Sequence, residues 1–442
     1  PEVARWISQP ARLRQERASD SERVKLRLLA RRTWRFFDTF VGPGDQWLPI
    51  DNHQVAPFEQ TAHRTSPTNI GLTLLATLSA YDFGYIGLSE LSLRLRRAFD
   101  SISRLPHYQG HLLNWYDTKS LQPLLPRYVS TVDSGNFAGC LLALRQGCLD
   151  CLKAPVLRAE DWTGLRDALD LLDEGVRATG VPGIETLQQV ITQMREASSE
   201  ARHNPADAYP VLVQLCDALA PALDRELLAF LASGAQRHEP DRLHDLRTAV
   251  DEVHQQLRQM RLEVDALLPW LTLESNAAIL GISLPRALSL QAIPEAATRL
   301  RAAIETAAAA QHSPAPPGAH APAKQLADAC ERASENAQAL AAELVALAAR
   351  ADDEVRVMDF TLLYDRDRKL FHIGYNATSD QLDPNYYDLL ASEARIASYI
   401  AIVKRDVPEA HWYALGRPLK RIHSKTALLS WGGTMFEYLM PD

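Results

Sequence analysis

From Pro155 to Arg356 the chain reads as helix after helix, and few folds can hold so long a helical run in mid-sequence. Ala, Leu, Arg, Gln and Glu dominate this stretch, and aromatic residues are scarce. Apolar residues return at helical spacing, as in Leu212, Leu215 and Leu219, then Val250, Val253, Leu257, Met260 and Val264. Residues three, four and seven apart share one helix face. Charges alternate on the other faces, as in solvated helix pairs. The segment His312 to Pro322 is a Pro/Ala linker between two helices, so His312 and His320 read as linker residues, not metal ligands. We expect residues 155–356 to be an inserted set of long antiparallel helices. They should pack mainly on one another, leave a cleft uncovered and carry no chemistry.

The flanks, residues 1–154 and 357–442, are richer in aromatic residues and loop signals. Ser19-x-x-Glu22 is a capping-box pattern leading a helix through Leu26, Leu29, Thr33, Trp34, Phe37 and Phe40, with Trp34 and Phe37 assigned to the core. A loop with Trp47, Asp51, Asn52, His63 and Arg64 follows. Thr65-Ser66-Pro67 then starts a second helix through Ile70, Leu74 and Leu78. A third spans Ser89 to Leu105, with Leu91, Leu95, Phe99 and Ile102 inward. A polar, aromatic loop carries His111, Asn114, Trp115, Tyr116 and Asp117. Asp133 and Ser134 are expected to cap a fourth helix through Leu141, Leu144, Cys148 and Leu152. Helices alternating with rich loops suit a mainly α fold, a partial toroid of α/α hairpins whose loops gather at one end. Binding residues concentrate on such loops.

In the last flank, Phe360 to Asp365 and Lys369 to Tyr375 alternate as a β-hairpin joined at Arg366-Asp367-Arg368. Asp365-x-Asp367 resembles a metal-binding DxD, but a turn between strands is the better account. The stretch from Asn385 to Arg395 is expected to open a helix running through Ile396, Ile400 and Val403. Asp388, Ser392, Arg395 and Tyr399 would form its polar stripe, and Leu389, Ile396, Ala397 and Ile400 its apolar one. Glu393 falls in the apolar row. A carboxylate there is either paired by a neighbouring Arg or kept protonated for chemistry by desolvation.

Composition narrows the functional classes. A chain of 442 residues exceeds one ordinary core. Its net charge of -8 argues against a nucleic-acid surface. No apolar run is long enough to span a bilayer, and no signal-peptide pattern opens the chain. Five cysteines form no disulfide-like framework and fit a reducing compartment; Cys148 and Cys151 read as two thiols on one helix face, not a zinc site. There is no G-x-S-x-G elbow, Walker loop, Rossmann glycine pattern or HExxH, and no cofactor is expected.

Seven words of sequence carry a resemblance. They are LPIDN from Leu48, AHRTSPTNIGL from Ala62, GHLLNWYDT from Gly110, RYVSTVDSGNFAG from Arg127, DFTLLYDRDRKLFHIGYN from Asp359, YYDLLASEARIASYIAI from Tyr386 and SWGGTMFEYLMP from Ser430. In this order they resemble the central, glycoamylase-like cyclisation region of bacterial cyclic β-1,2-glucan synthases. Long ordered words are far more specific than a short motif.

The resemblance implies a fragment of a large bacterial inner-membrane enzyme, lying on the cytoplasmic side as a soluble domain. Its partners would be β-1,2-glucan chains and the parent's transferase, membrane and phosphorylase-like domains. The expected activity is transglycosylation of linear β-1,2-glucan into rings, with retention of configuration. A hydrolytic β-1,2-glucanase and a non-catalytic glucan-binding scaffold are the alternatives. Two carboxyl groups in different protonation states are needed. Glu393 matches a catalytic glutamate of the family, as acid/base or as nucleophile. The second lies in a Gly-Ile-Ser-Glu-Ser-like motif downstream of the MFEYLMP word, and this chain stops at Asp442 before it. Asp51, Asn52, Arg64, Trp115, Tyr116, Asp117, Asp133, Tyr387, Asp388 and Glu437 are the substrate-binding candidates. Aromatic rings can cover the flat C–H faces of glucose, while Asp, Asn and Arg hold its hydroxyls.

Overall fold

The computed structural model describes residues 18–178, 184–205, 207–232, 240–310, 320–387, 394–416 and 419–428. The mainly helical class expected from the sequence is what it shows, with short two- and three-residue strands between the helices.

Helix α1 (Asp20–Phe40) begins at the expected capping box: Ser19 accepts from the Glu22 backbone N–H, and Glu22 reaches back to Ser19. Strands β1 (Asn52–Gln54) and β2 (Gln60–Ala62) form a hairpin, and β3 (Arg64–Thr65) leads into α2 (Pro67–Asp82). Helix α3 (Leu88–Ile102) buries Leu91, Leu95, Phe99 and Ile102, the four positions expected. A second hairpin, β4 (His107–Tyr108) with β5 (His111–Leu112), precedes β6 (Tyr116–Asp117), β7 (Tyr128–Ser130) and α4 (Thr131–Cys151). Strand β6 pairs back with β3, setting Asp117 opposite Arg64.

Two expectations change here. The cap of α4 is Ser130, whose hydroxyl accepts from the Asp133 backbone N–H at 3.2 Å, so Asp133 and Ser134 lie inside the helix. The reason is tertiary. Strand β7 ends at Ser130, and Thr131 donates its N–H to Ile373, which holds the extended-to-helical switch at that residue. On α1, Trp34 is buried and Phe37 half-buried, but Leu26 and Leu29 are exposed, 58% and 59%. They line an apolar groove of about 300 Å3 with Phe83 and Tyr85.

The middle stretch folds as α5 (Ala159–Ala178), α6 (Glu185–His203), α7 (Ala208–Gln214), α8 (Ala220–Ala232), α9 (Pro240–Leu267), α10 (Glu274–Leu280), α11 (Ile293–Ala310) and α12 (His320–Val357). These helices do pack on one another, as α5 does with α6 and α11 with α12. They also pack on the flanks: α12 runs along α4, and α5 lies against α1. One continuous hydrophobic cluster, from Trp34 through Trp162, Trp270 and Leu344 to Phe371, joins all three stretches.

Beyond α12, β8 (Tyr364–Asp365) and β9 (Leu370–Phe371) make the expected hairpin, shortened because Phe360–Leu363 coils into a 3-10 turn. Asp365 accepts from the backbone N–H groups of Asp367 and Arg368, so the Asp-x-Asp pair builds the turn. Strand β10 (Gly374–Asn376) lies between β7 and β11 (Gln381–Leu382), fastening this flank to the entrance of α4.

Residues Asn385 to Tyr387 are extended, not helical: Tyr386 bridges His372, and Tyr387 donates its N–H to Phe371. The described helix, α13, spans Ala394–Lys404. It buries Ala397 and Ile400 as expected, whereas Ile396 is exposed. Helix α14 (Ala410–Ala414) and the hairpin β12 (Leu419–Ile422) with β13 (Lys425–Leu428) complete the described chain. Among the described residues, no helix is long and apolar enough to cross a membrane.

Candidate functional site

Two helix N-termini converge because α2 and α4 run side by side in the same direction. Thr68 meets Asp133, Gly71 meets Phe137 and Cys140, and Leu78 meets Gly147. Ser66 caps α2, accepting from the Asn69 N–H, with Pro67 pre-set for the first turn. Ser130 does the same for α4. Each helix therefore presents its positive dipole end at the same place, which favours nearby carboxylates.

Helix α13 joins them against α4 at a glycine. A Cβ on Gly135 would lie 2.6 Å from the Ala397 backbone nitrogen, so only glycine permits this approach. Farther along, Gly139 faces Ile396 and Ile400, and Leu142 shares a groove with Tyr399 and Val403. The two helices run in the same direction, which brings the start of α13 to the end of α4 that carries Asp133.

The polar side chains at this junction close into a ring. Arg64 donates Nε and Nη2 to Asp51 Oδ2, at 3.1 and 2.9 Å, while its guanidinium lies 4.7 Å from the centre of the Trp115 ring. Asn69 donates to the other Asp51 oxygen at 3.3 Å. Its neighbour Thr68 donates to Asp133 Oδ1 at 2.6 Å, and Asn136 donates to the Thr68 hydroxyl at 3.2 Å. Asn114 is turned so that its amide nitrogen donates to Asp133 Oδ2 at 2.9 Å and its oxygen accepts from Trp115 Nε1 at 3.3 Å. The loop brings the chain back to Arg64. Asp51 and Arg64 balance each other in charge. Asp133 is held by neutral donors and has no ion-pair partner among the described residues.

Of the residues singled out from sequence, Asp51, Arg64, Trp115 and Asp133 meet in this ring, and exposed Asn52 donates to Asp51 at 3.3 Å. Tyr116 is placed otherwise. It is fully buried, its hydroxyl donating to the Pro106 carbonyl and accepting from the Leu113 N–H, so it packs the loop from within. Asp117 lies beside Arg64 on the strand, but its carboxylate takes the N–H groups of Lys119 and Ser120 and the Ser120 hydroxyl. The Ser120 N–H is the main reason its acid is held below the usual range. Tyr387 is half-buried in the extended segment. Asp388, Glu393 and Glu437 lie outside the described residues.

Sequence reasoning missed Thr68, Asn69 and Asn136. Their signal was available: polar residues in the first turns of two helices, beyond what the caps need. Burial pushes the Cys148 and Cys151 thiols up to about 11 and about 12. No group of three or more His, Cys, Asp or Glu side chains able to hold a metal occurs among the described residues.

The class this defines is a mainly helical protein with carboxylates, amides and an indole from loops and first helical turns gathered at converging helix ends, a donor set suited to a hydroxyl-rich ligand. No protein-family model matches the chain. Over its whole length, 449 aligned positions, it is 33% identical to the cyclic β-(1,2)-glucan synthase NdvB of Rhizobium meliloti (strain 1021). It spans 13% of that protein's length, so the likeness is to one stretch of a much longer polypeptide. The resemblance to cyclic β-1,2-glucan synthases carried by the seven sequence words is thereby borne out at the level of the synthase: the chain is a relative of a stretch of a cyclic β-(1,2)-glucan synthase.

Proposed function

We propose that the chain is the cyclisation part of a cyclic β-1,2-glucan synthase, built as part of an α/α toroid and transglycosylating linear β-1,2-glucan into rings. The observation that carries the reading is the closed ring of Asp51, Arg64, Trp115, Asn114, Asp133, Thr68 and Asn69. It has acceptors and amides for sugar hydroxyls. Its one cation, Arg64, is spent on Asp51, which suits an uncharged glucan better than an anionic sugar.

Glu393 is the proposed catalytic carboxyl group. It directly precedes Ala394, the first residue of α13, and α13 meets α4 two residues from Asp133. In a retaining reaction one carboxyl protonates the departing glycosidic oxygen and the other forms a glycosyl-enzyme bond. The glucan's own non-reducing-end hydroxyl then attacks the anomeric carbon of that bond, passes its proton to the first carboxyl group, by then a carboxylate, and releases the second carboxylate, closing the ring. The wider setting we propose is the cytoplasmic face of a bacterial inner membrane, beside the transferase, membrane and phosphorylase-like parts of the same polypeptide.

The test is incubation of the intact synthase carrying this chain, wild type and Glu393→Gln, with linear β-1,2-glucan. Cyclic product from the wild type and its loss in the variant support the reading. Shorter reducing oligosaccharides as the only products would replace cyclisation by hydrolysis. Normal ring formation by Glu393→Gln would leave only a binding or scaffold role.

A further inference from the structure

We propose that Thr68, itself held by Asn136, is the residue that positions the Asp133 carboxylate to grip a sugar hydroxyl; the inference rests on the glucan reading above. Asp133 is the third residue of α4, where a carboxylate commonly turns back to its own helix cap. Here the side chain leaves its helix, reaching α2 with one oxygen and the loop before Trp115 with the other.

The directions of these bonds follow from counting hydrogens. A threonine hydroxyl has one hydrogen to give and lone pairs to accept with. At Thr68 that hydrogen goes to Asp133 Oδ1, at 2.6 Å, the short length of a bond to an ionised acceptor. The Asn136 amide fills the accepting side at 3.2 Å and keeps the hydroxyl from rotating to another partner. Asn114 fixes Oδ2 from across the site at 2.9 Å. Two donors thus pin two oxygens of a group with about four acceptor positions. Those left over point in fixed directions, and no ion pair among the described residues consumes them. A sugar hydroxyl must be met at a set angle, so fixing the carboxylate is what makes it selective. Neither Thr68 nor Asn136 need touch the ligand for this.

The measurement is the dissociation constant of the full chain for linear β-1,2-glucan oligosaccharides, by calorimetry, with thermal denaturation on every variant. Thr68→Val removes the hydroxyl at nearly constant shape, and we expect affinity to fall about tenfold, the effect of losing one hydrogen bond to a charged group. Thr68→Ser restores the hydroxyl and should return affinity to within about twofold of wild type, an effect set by the same bond. In an Asp133→Asn background Thr68→Val should add less than about twofold, because its effect passes through that carboxylate. Unchanged binding by Thr68→Val, failure of Thr68→Ser to rescue, or full additivity with Asp133→Asn overturns the inference while leaving the glucan reading in place. A wild-type chain that does not bind the oligosaccharides overturns the reading, and this inference with it.

Discussion

Two polar clusters in this molecule handle charge in opposite ways. At the seam between the first flank and the middle helices, charges are buried and closed. Arg158 holds Asp161 at 2.6 Å, donates to the Tyr81 carbonyl and lies over the Tyr81 ring. Arg31 and Arg35 of α1 share Glu252 of α9, and Gln256 bridges Arg31 to the Gly84 and Asp161 carbonyls. Glu263 of α9 caps α3 by accepting from the Ser89 N–H at 2.8 Å. At the converging helix ends the groups are half-exposed, and among the described residues Asp133 has only neutral partners. The seam spends its charges on docking helices that are far apart in sequence, whereas the ring keeps acceptor capacity in reserve. Polarity alone therefore does not mark a binding site here. Unspent hydrogen-bonding capacity is what favours the ring as the proposed site.

Removing a charge should separate the two clusters most sharply. Arg158→Met leaves Asp161 buried without its cation, and breaking such a pair costs about 3–5 kcal/mol. Urea denaturation should show a loss of that order; a loss below about 1 kcal/mol would mean the seam behaves like a surface pair. Next in size is Gly135→Ala, which drives a methyl group into the Ala397 backbone. Overpacking of this kind costs about 1–3 kcal/mol, read by the same denaturation, and should also weaken function if α13 carries the catalytic group.

A pH series tests the seam more finely. Burial, the dominant effect, raises Glu263 from 4.5 to about 7. The folded state then keeps this proton after the unfolded chain has lost it. Its stabilisation is full below about pH 4.5 and is lost as pH rises through about 7. Facing it are Asp161, which raises it further, and Arg158 and the Leu88 and Ser89 N–H groups, which oppose. Glu263→Gln keeps an acceptor for Ser89 but cannot ionise, so its stability should gain on wild type between pH 5 and pH 8. A constant difference across that range would show that Glu263 does not titrate there. The smallest stability effect belongs to the ring: Arg64→Ala should cost less than about 1 kcal/mol, since Arg64 is half-exposed. Its glucan affinity should nonetheless fall. Equal losses of stability and binding would erase the distinction between the clusters.

What the sequence determined by itself was whatever a few neighbouring residues can decide. The Ser19–Glu22 box, the Ser66-Pro67 start and the turn at Asp365 rest on contacts within one turn of chain, and the buried face of α3 was legible in the helical spacing of its apolar residues. The family words were legible for a different reason, since they are strings that no periodicity explains. Tertiary structure decided the rest. The sequence Ser130-Thr131-Val132-Asp133-Ser134 holds several possible caps, and the pairing of β7 with β10 selects Ser130, which frees Asp133 for the ring. Tyr116 and Trp115 are adjacent aromatics in one loop, yet one is sealed in the core and the other stands beside Arg64. Leu26, Leu29 and Ile396 sit in apolar rows, and their exposure depends on which helices happen to lie opposite. The ring itself draws on the loop around Asp51 and Arg64, the first turn of α2, the loop at Asn114 and the first turns of α4. Periodicity can place each residue on a face of its own element, but only packing brings four such faces together.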